Sequence, residues 1–269
     1  MNIKIIYEDD YLLAIDKPSG ITVNRSDTTK EEETVQDWAE EKLNARGPAA
    51  RHARHLDGAH SPVGDLRAIK ASDSRHPSQE EEFIHRAGIV HRLDKETSGI
   101  LLIAKTPEVF VDLQRQFKER KVEKTYIALV HGKVVPDEGE INVPVGRLSF
   151  NRKRFGVVAG GREASTQYKV LSIKYLGKES LSLLELYPKT GRTHQIRVHL
   201  KYFNHPVFSD NFYAGRKTAR SDRKVLPRLF LHASEIYFTH PTDGKLMSFK
   251  SLLPQELGNF LSKLSEVSI

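Results

Sequence analysis

The sequence contains no cysteine among its 269 residues. Disulfide bonds, zinc–thiolate sites, iron–sulfur clusters and thiol catalysis are therefore excluded. Long apolar runs are also missing, because the roughly 18 consecutive apolar residues of a membrane-spanning helix occur nowhere. The first residues, MNIKIIYEDDYLLAIDKPSG, carry acidic side chains where a signal peptide needs an apolar stretch. We therefore predict a cytoplasmic protein with no membrane association.

Charge is the property that first indicates a class of partner. The chain has 42 Lys and Arg residues against 35 Asp and Glu residues, which gives a net charge of +7. A basic excess favours a polyanionic partner such as nucleic acid. The hydrophobic fraction of 38% and the charged fraction of 29% are those of a globular protein. The length is sufficient for one large domain with a sizeable core, and we predict a single domain over residues 1–269.

The apolar pattern predicts many strands, few helices and mostly short connections. A continuous apolar run at residues 100–104 is typical of a buried strand. Thr106-Pro107-Glu108 then supplies the cap, the first-turn proline and the first-turn acid of a helix. Thr34 and Asp37 mark the start of an earlier helix. The predicted fold class is α+β, with a mixed, largely antiparallel sheet and flanking helices.

The apolar period is lost between residues 44 and 88, where Ala, Arg, His, Ser, Gly and Pro dominate. We predict a mobile insertion there. Half of the 12 histidines lie between His52 and His91. Spacings such as His52-x-x-His55 lack clustered carboxylates or cysteines, so we predict no metal site.

The segment HRLDKETSGILLIAK, residues 91–105, places Asp94 between basic residues and a buried strand. Asp94 has three interpretations from this segment alone. It is a solvated turn or cap residue, a structural partner of Arg92, or a catalytic carboxylate held at the edge of a rigid strand.

A second segment, GRTHQIRVH at residues 191–199, concentrates polar and basic side chains at the start of a predicted helix. Residues three or four apart share a helix face, so we expect His194 beside Arg197 and Gln195 beside His199. Together with Arg192, this helix start suits a phosphate or a buried carboxylate. The alternative is an exposed basic helix face.

A third segment, EKTYIALVHG at residues 123–132, begins a strand that carries Tyr126. Such a tyrosine packs in the core, or stacks on a base if it lies in a basic cleft. These three segments, in this order, resemble the three signature motifs of the RluA-type pseudouridine synthases. Residues 231–241 and 5–23 resemble a further strand and the opening of the same catalytic domain. The resemblance covers nearly the whole chain outside the insertion and starts within the first residues, so we expect no N-terminal S4-type domain.

The resemblance implies the pseudouridine synthase catalytic fold and an enzyme that isomerises uridine to pseudouridine in structured RNA, either rRNA or tRNA, with no cofactor and no metal. By motif match, Asp94 is the catalytic aspartate and Arg197 is its ion-pair partner. Tyr126 matches the tyrosine that stacks on the target base and helps to deprotonate C5. Arg92 matches the arginine that fills the gap left by the flipped base. The other expected RNA-binding residues are His91, Arg192, His194, Gln195 and His199. The motif leaves open whether Asp94 attacks the sugar, attacks the base or removes a proton.

Some residues depart from the family pattern. Glu96 stands where aspartate is common, and Ser209, in HPVFSDNFYAG at residues 205–215, stands at a usual glycine. We expect the change at Ser209 to affect which RNA the protein selects. The basic cluster at residues 216–228 is either an RNA contact or an exposed charged loop. We expect Gly99 and Gly191 to form tight turns near the site.

Two other functions compete with the leading prediction. One is a non-catalytic RNA-binding protein on the same fold. The other is a glycosidase with paired carboxylates, in which Glu96 or Glu185 would be the second acid. In each case we expect a monomer.

Overall fold

The computed structural model describes residues 1–26, 32–44, 77–149, 151 and 154–266. Its centre is a 10-stranded sheet in the order β1-β2-β3-β10-β4-β9-β8-β12, with β11 paired to β10 and β5 paired to β8. The strands of this sheet are β1 (Lys4–Glu8), β2 (Leu12–Lys17), β3 (Ser98–Ala104), β4 (Glu123–His131), β5 (Glu138–Asn142), β8 (Ser165–Leu176), β9 (Glu179–Pro188), β10 (Leu231–Thr239), β11 (Leu246–Lys250) and β12 (Ser265–Glu266). A separate two-stranded sheet consists of β6 (Val145–Arg147) and β7 (Phe155–Val157).

Six helices lie within the described residues. They are α1 (Val35–Asn44), α2 (Gln79–His85), α3 (Pro107–Lys118), α4 (Gln195–Tyr202), α5 (Arg216–Asp222) and α6 (Gln255–Leu261). The longest of them has 12 residues, and none has the length and apolar character needed to cross a bilayer.

The strand pairings confirm the predicted fold class. In the large sheet, β10 runs parallel to β3 and antiparallel to β4 and β11. The other pairings in the sheet are antiparallel. The result is a mixed, largely antiparallel α+β fold.

Both faces of β3 are covered, which explains its continuous apolar run. Leu101 belongs to a buried cluster that contains Trp38 of α1, on one face of the sheet. Leu102 belongs to a second cluster that contains Phe110 of α3, on the opposite face. Alternate residues of a strand point to opposite faces, so a doubly covered strand is apolar at every position. The segment just before β3, which carries Asp94, is therefore attached to one of the best-buried strands of the protein.

The predicted helix starts are confirmed. In α1, the Asp37 amide donates to Thr34 Oγ1 at 3.2 Å, while the Thr34 amide donates to Asp37 Oδ2 at 2.7 Å. In α3, the Val109 amide donates to Thr106 Oγ1 at 3.4 Å. Each threonine satisfies an amide that has no partner inside its helix.

Helix α2 lies inside the predicted insertion, so the C-terminal end of that segment contains regular structure. Ser78 and Glu81 form a capping box, with the Glu81 amide donating to Ser78 Oγ at 3.1 Å. Phe83 packs edge-on against Phe110 of α3, with ring centroids 5.8 Å apart. This local cap and the contact with α3 explain the helix. The remainder of the predicted insertion, residues 45–76, lies outside the described residues, as does the His52-x-x-His55 spacing.

His131 links helix α5 to the sheet through contacts with two carboxylates. Its Nε2 lies 3.0 Å from Asp222 Oδ2 of α5, and its Nδ1 lies 2.6 Å from Glu179 Oε1 of β9. The ring also stacks on Phe208, with centroids 5.2 Å apart. Burial alone would lower the pKa of His131, but the hydrogen bonds and charges of Asp222 and Glu179 outweigh it and raise that pKa.

We expect His131→Gln to destabilise the protein in a pH-dependent way. A raised folded-state pKa adds stability that is complete below the unfolded value of about 6.5 and disappears as the pH rises through the folded value. At about pH 5.5 the wild type should exceed the variant by about 1 kcal/mol or more, or roughly 2–4 °C in melting temperature. The gap should shrink at alkaline pH. Melting curves of both proteins at several pH values measure it, and a gap that grows with pH would contradict the assignment.

Candidate active site

A cleft of about 500 Å³ lies between the loop before β3, strand β4 and the turn before α4. Asp94 is the only carboxylate among the described residues that line it. The cationic residues that line it are Arg86, Arg92, Lys118, Arg120, Lys124, Lys189, Arg192 and Arg197. Such a cleft attracts a polyanion. It lacks the second carboxylate of a glycosidase, because neither Glu96 nor Glu185 lines it.

Asp94 and Arg197 meet in this cleft across 103 positions of sequence. Arg197 Nη1 donates to Asp94 Oδ2 at 2.9 Å. The Asp94 side chain is 19% exposed, so one side of the carboxylate remains open to the cleft. Arg197 thus supplies the positive charge that a half-buried anion needs, as the resemblance predicted.

Asp210 is the second partner of Arg197, and the sequence analysis did not assign it a role. Arg197 Nε and Nη2 donate to the two oxygens of Asp210 at 2.7 and 2.9 Å, in a bidentate pair. Asp210 is 0% exposed. Burial opposes the charge of Arg197, but the bonds and charges of Asp210 and Asp94 outweigh it and raise the pKa of the guanidinium. One arginine therefore lies between two carboxylates, one buried and one facing the cleft.

The loop at residues 205–215 supports this site directly. Asp210 Oδ1 accepts from the amides of Phe212 and Tyr213 at 2.8 and 3.1 Å. Ser209 has a positive φ of 62°, which explains why glycine suits its position. The loop was expected to affect the choice of RNA. The structure shows that it also holds the partner of Asp94.

His194 lies on the other side of Asp94. Its Nδ1 is 2.8 Å from Tyr213 Oη, which accepts from the Phe155 amide at 3.2 Å. The direction of the bond between Nδ1 and the Tyr213 hydroxyl depends on the imidazole tautomer, because a hydroxyl oxygen can donate one hydrogen bond and accept two. Nε2 is 3.9 Å from Asp94 Oδ1. Burial lowers the pKa of His194, with Asp94 opposing and Arg197 reinforcing the fall. The lowered pKa favours a neutral imidazole beside the Asp94 carboxylate.

Tyr126 of β4 lines the same cleft, as predicted. Burial, reinforced by the negative charge of Asp94, raises the pKa of Tyr126. The phenol is therefore neutral at physiological pH, with its ring held on a central strand of the sheet. The three residues predicted to carry the chemistry, Asp94, Tyr126 and Arg197, converge on one cleft.

The loop that carries Asp94 is fixed through its carbonyl groups. Lys17, which is 0% exposed, donates from Nζ to the carbonyl oxygens of Pro18, Ile21 and Lys95 at 2.9, 2.9 and 3.1 Å. Ser19 Oγ donates to the Glu96 carbonyl at 2.7 Å. Burial and the nearby Arg228 lower the pKa of Lys17 to about 7, and Asp94 opposes the fall. The end of β2 and the residues just after it therefore bind the backbone on the C-terminal side of Asp94.

Glu96 connects this loop to the chain beyond α5. Arg223 Nη2 donates to both Glu96 oxygens, at 2.6 and 2.7 Å. The same guanidinium donates to the Ser209 carbonyl. The change from the usual aspartate therefore has a structural partner, and it ties the loop of Asp94 to the loop of Asp210.

Apart from His194, which lines the cleft and bonds to Tyr213, the predicted RNA-binding residues form two groups. Arg92 is exposed and Arg192 is partly exposed, and both line the cleft. His91 and Gln195 also line the cleft, but their side chains, like that of His199, bond to protein groups. The Leu102 amide donates to His91 Nε2 at 3.0 Å, and burial, with Lys124 and Arg86, lowers the pKa of His91 to about 3.

Gln195 and His199 share a helix face, as predicted, but that face is buried. Both reach Thr166 Oγ1 at 3.0 Å. Gln195 Oε1 also accepts from Thr190 Oγ1 and the Arg192 amide. Their polar atoms are occupied by β8, by the turn before α4 and, for His199 Nε2, by the Val143 carbonyl at 3.1 Å. They hold the site together and present no free donor to RNA.

Gly99 serves a close approach of two strands rather than a turn. Its φ is +116°, and a Cβ there would lie 2.1 Å from the Ala233 carbonyl oxygen of β10. Gly191 has open space around it and no positive φ. The expectation of a tight turn is thus wrong for Gly99, and glycine is not required at Gly191.

A cationic cleft around one carboxylate, on this sheet, defines a site for a polyanionic substrate. The chain belongs to the RNA pseudouridylate synthase family, which residues 11–202 match. The chain is 38% identical over 266 residues to ribosomal large subunit pseudouridine synthase D of Nitrosomonas europaea, covering 97% of this chain and 65% of that protein. It is 36% identical over 270 residues to an RNA pseudouridine synthase of Aquifex aeolicus, covering 99% of this chain and 74% of that protein.

The fold is similar to that of human RNA pseudouridylate synthase domain containing 1. The TM-score is 0.68 at 24% identity, over 100% of this chain and 90% of the human one. The family and the fold predicted from the sequence are therefore confirmed.

Proposed function

We propose that this protein isomerises a specific uridine of large-subunit ribosomal RNA to pseudouridine, with Asp94 as the catalytic carboxylate. The observation that carries the proposal is Asp94 itself, which faces a cationic cleft while Arg197 donates to it at 2.9 Å. The name of the Nitrosomonas relative supports ribosomal RNA as the substrate.

The proposed reaction balances without a co-substrate. The N1–C1′ bond breaks, the ring turns, and a C5–C1′ bond forms. C5 loses a proton and N1 gains one, so no electrons are supplied and no group is consumed. We propose no cofactor and no metal for it.

The uridine must leave the base stack to reach Asp94, at a cost of a few kcal/mol. We assign two side chains to offset that cost. Tyr126 offers its ring to the flipped base, and the exposed Arg92 occupies the emptied position in the helix. Arg192, at the cleft wall, contacts the phosphates of the same RNA. We also propose that the protein acts as a monomer in the cytoplasm. The relatives named above come from bacteria, which make and use ribosomal RNA in that compartment.

Mapping pseudouridines in ribosomal and transfer RNA, from cells with and without this protein, tests the proposal. We expect one or a few large-subunit positions to lose the modification, while transfer RNA is unchanged. The purified protein should restore those positions in RNA from the deficient cells. Loss confined to transfer RNA would refute the proposed substrate. If the protein restores no position in either RNA class, it has no synthase activity on these RNAs.

A further inference from the structure

A second cleft, of about 610 Å³, lies next to the active site. Phe212 connects the two. Its side chain is 40% exposed and lines the second cleft. Its ring centroid is 5.5 Å from Cζ of Arg197, which lines the catalytic cleft. A chain that leaves the catalytic cleft past Phe212 would therefore enter the second one.

The second cleft is cationic and has an aromatic wall. Arg216, Arg220 and Lys224 line it, are exposed, and form no ion pair with a described residue. Arg154 lies 5.8 Å from the Phe212 ring centroid and completes the wall. No carboxylate is among the described residues that line this cleft. Arg223 also lines the cleft and is paired with Glu96, so the uncompensated positive charge is that of the other cations.

Helix α5 holds these cations at a fixed place relative to Asp94. Asp222, at the end of the helix, is bound by His131 and by the Ser209 amide, at 3.0 Å in each case. Arg223 is occupied by Glu96, in the catalytic loop. Within the basic cluster at residues 216–228, Arg223 is therefore paired and helps to fix the helix, whereas Arg216, Arg220 and Lys224 face the cleft without an ion pair among the described residues.

We propose that this second cleft binds the RNA strand that flanks the target uridine. An unpaired base stacks on Phe212, and phosphates contact Arg216, Arg220 and Lys224. Stacking on an aromatic ring suits any base, and unpaired cations suit phosphates. Continuity with the catalytic cleft favours the substrate strand over an acidic protein. The proposal rests on the proposed function, because it extends the same RNA from one cleft into the next.

The test compares two triple variants that lose the same charge. One carries Arg216→Gln, Arg220→Gln and Lys224→Gln. The control carries Lys4→Gln, Lys178→Gln and Lys263→Gln, three exposed lysines that line neither cleft. The probe is an unmodified in vitro transcript of large-subunit ribosomal RNA. Its Kd is measured over a range of salt concentrations.

We expect the first variant to reduce the slope of log K against log salt by about 2, because each lost phosphate contact contributes about 0.7 in single-stranded RNA. The control should keep the wild-type slope. Separately, Phe212→Ala should weaken binding by roughly 5- to 100-fold, while Phe212→Tyr preserves it because the ring remains. Equal slopes for the two triple variants, or wild-type affinity for Phe212→Ala, would overturn the inference.

The failure of this inference differs from the failure of the proposed function. If the wild type forms pseudouridine and the variants bind the transcript with the wild-type affinity and salt dependence, only the role of the second cleft is wrongly assigned. If the wild type forms none while the variants lose affinity, the cleft binds RNA and the activity is wrongly assigned.

Discussion

Asp94→Asn is expected to abolish pseudouridine formation, with a loss of about 10⁴-fold or more, because it removes the reacting carboxylate. The fold should tolerate this change. Arg197 keeps its bidentate bonds to Asp210, so no buried charge is left without a partner. The amide oxygen of asparagine still accepts from Arg197. Affinity for RNA should stay near the wild-type value, since the cations of the cleft are untouched. Single-turnover assays and filter binding, on an unmodified large-subunit transcript, measure the two quantities.

Glu96→Gln is the matched control for this variant. Glu96 is the next carboxylate in the same loop, and it binds Arg223 rather than facing the cleft. Its amide variant loses the ion pair with Arg223 and should lower turnover by about tenfold, through looser positioning of the loop. A similar loss in both variants would mean that the loop tolerates no change of charge. Appreciable turnover by Asp94→Asn would remove Asp94 from the chemistry.

The sequence predicted the strands and the convergence of Asp94, Tyr126 and Arg197, because those features follow from local pattern and ordered motifs. Asp210 was missed because its pairing with Arg197 depends on how loop 205–215 folds over α4. Lys17 was missed for a similar reason. A lysine at a strand end usually reaches solvent, and only the tertiary structure brings three carbonyl oxygens to it. Helix α2 was predictable, since Ser78 and Glu81 have the spacing of a capping box.

The inward orientation of Gln195 and His199 was not predictable from the same segment that predicted Arg197. A helix with polar residues at three- and four-residue spacing is usually exposed on that face. Here Thr166 of β8 offers a buried hydroxyl to both side chains. The polar face could therefore be buried with its bonds satisfied. Sequence periodicity predicts which residues share a helix face. Whether that face is buried or exposed depends on the residues that pack against it.

Arg197→Ala should lower both turnover and stability, and Asp210 makes the two effects separable. Loss of the donor to Asp94 is expected to reduce turnover by about 10²- to 10³-fold. Asp210 would then be buried with no cation beside it, which costs roughly 3–5 kcal/mol of unfolding free energy. Affinity for RNA should fall less than turnover, because other cations line the cleft. Denaturant titration and single-turnover kinetics on the same preparations measure stability and turnover.

Adding Asp210→Asn to Arg197→Ala gives the decisive comparison. The double variant no longer buries an unpaired charge, so its stability should recover most of the loss, while turnover stays low because Asp94 still lacks its donor. Arg197→Lys provides a further control, since a lysine retains the charge but cannot bond to both carboxylates with the geometry of a guanidinium. If turnover recovered together with stability in the double variant, Arg197 would act only by preserving the fold. Recovery of stability alone would assign it to the positioning of Asp94.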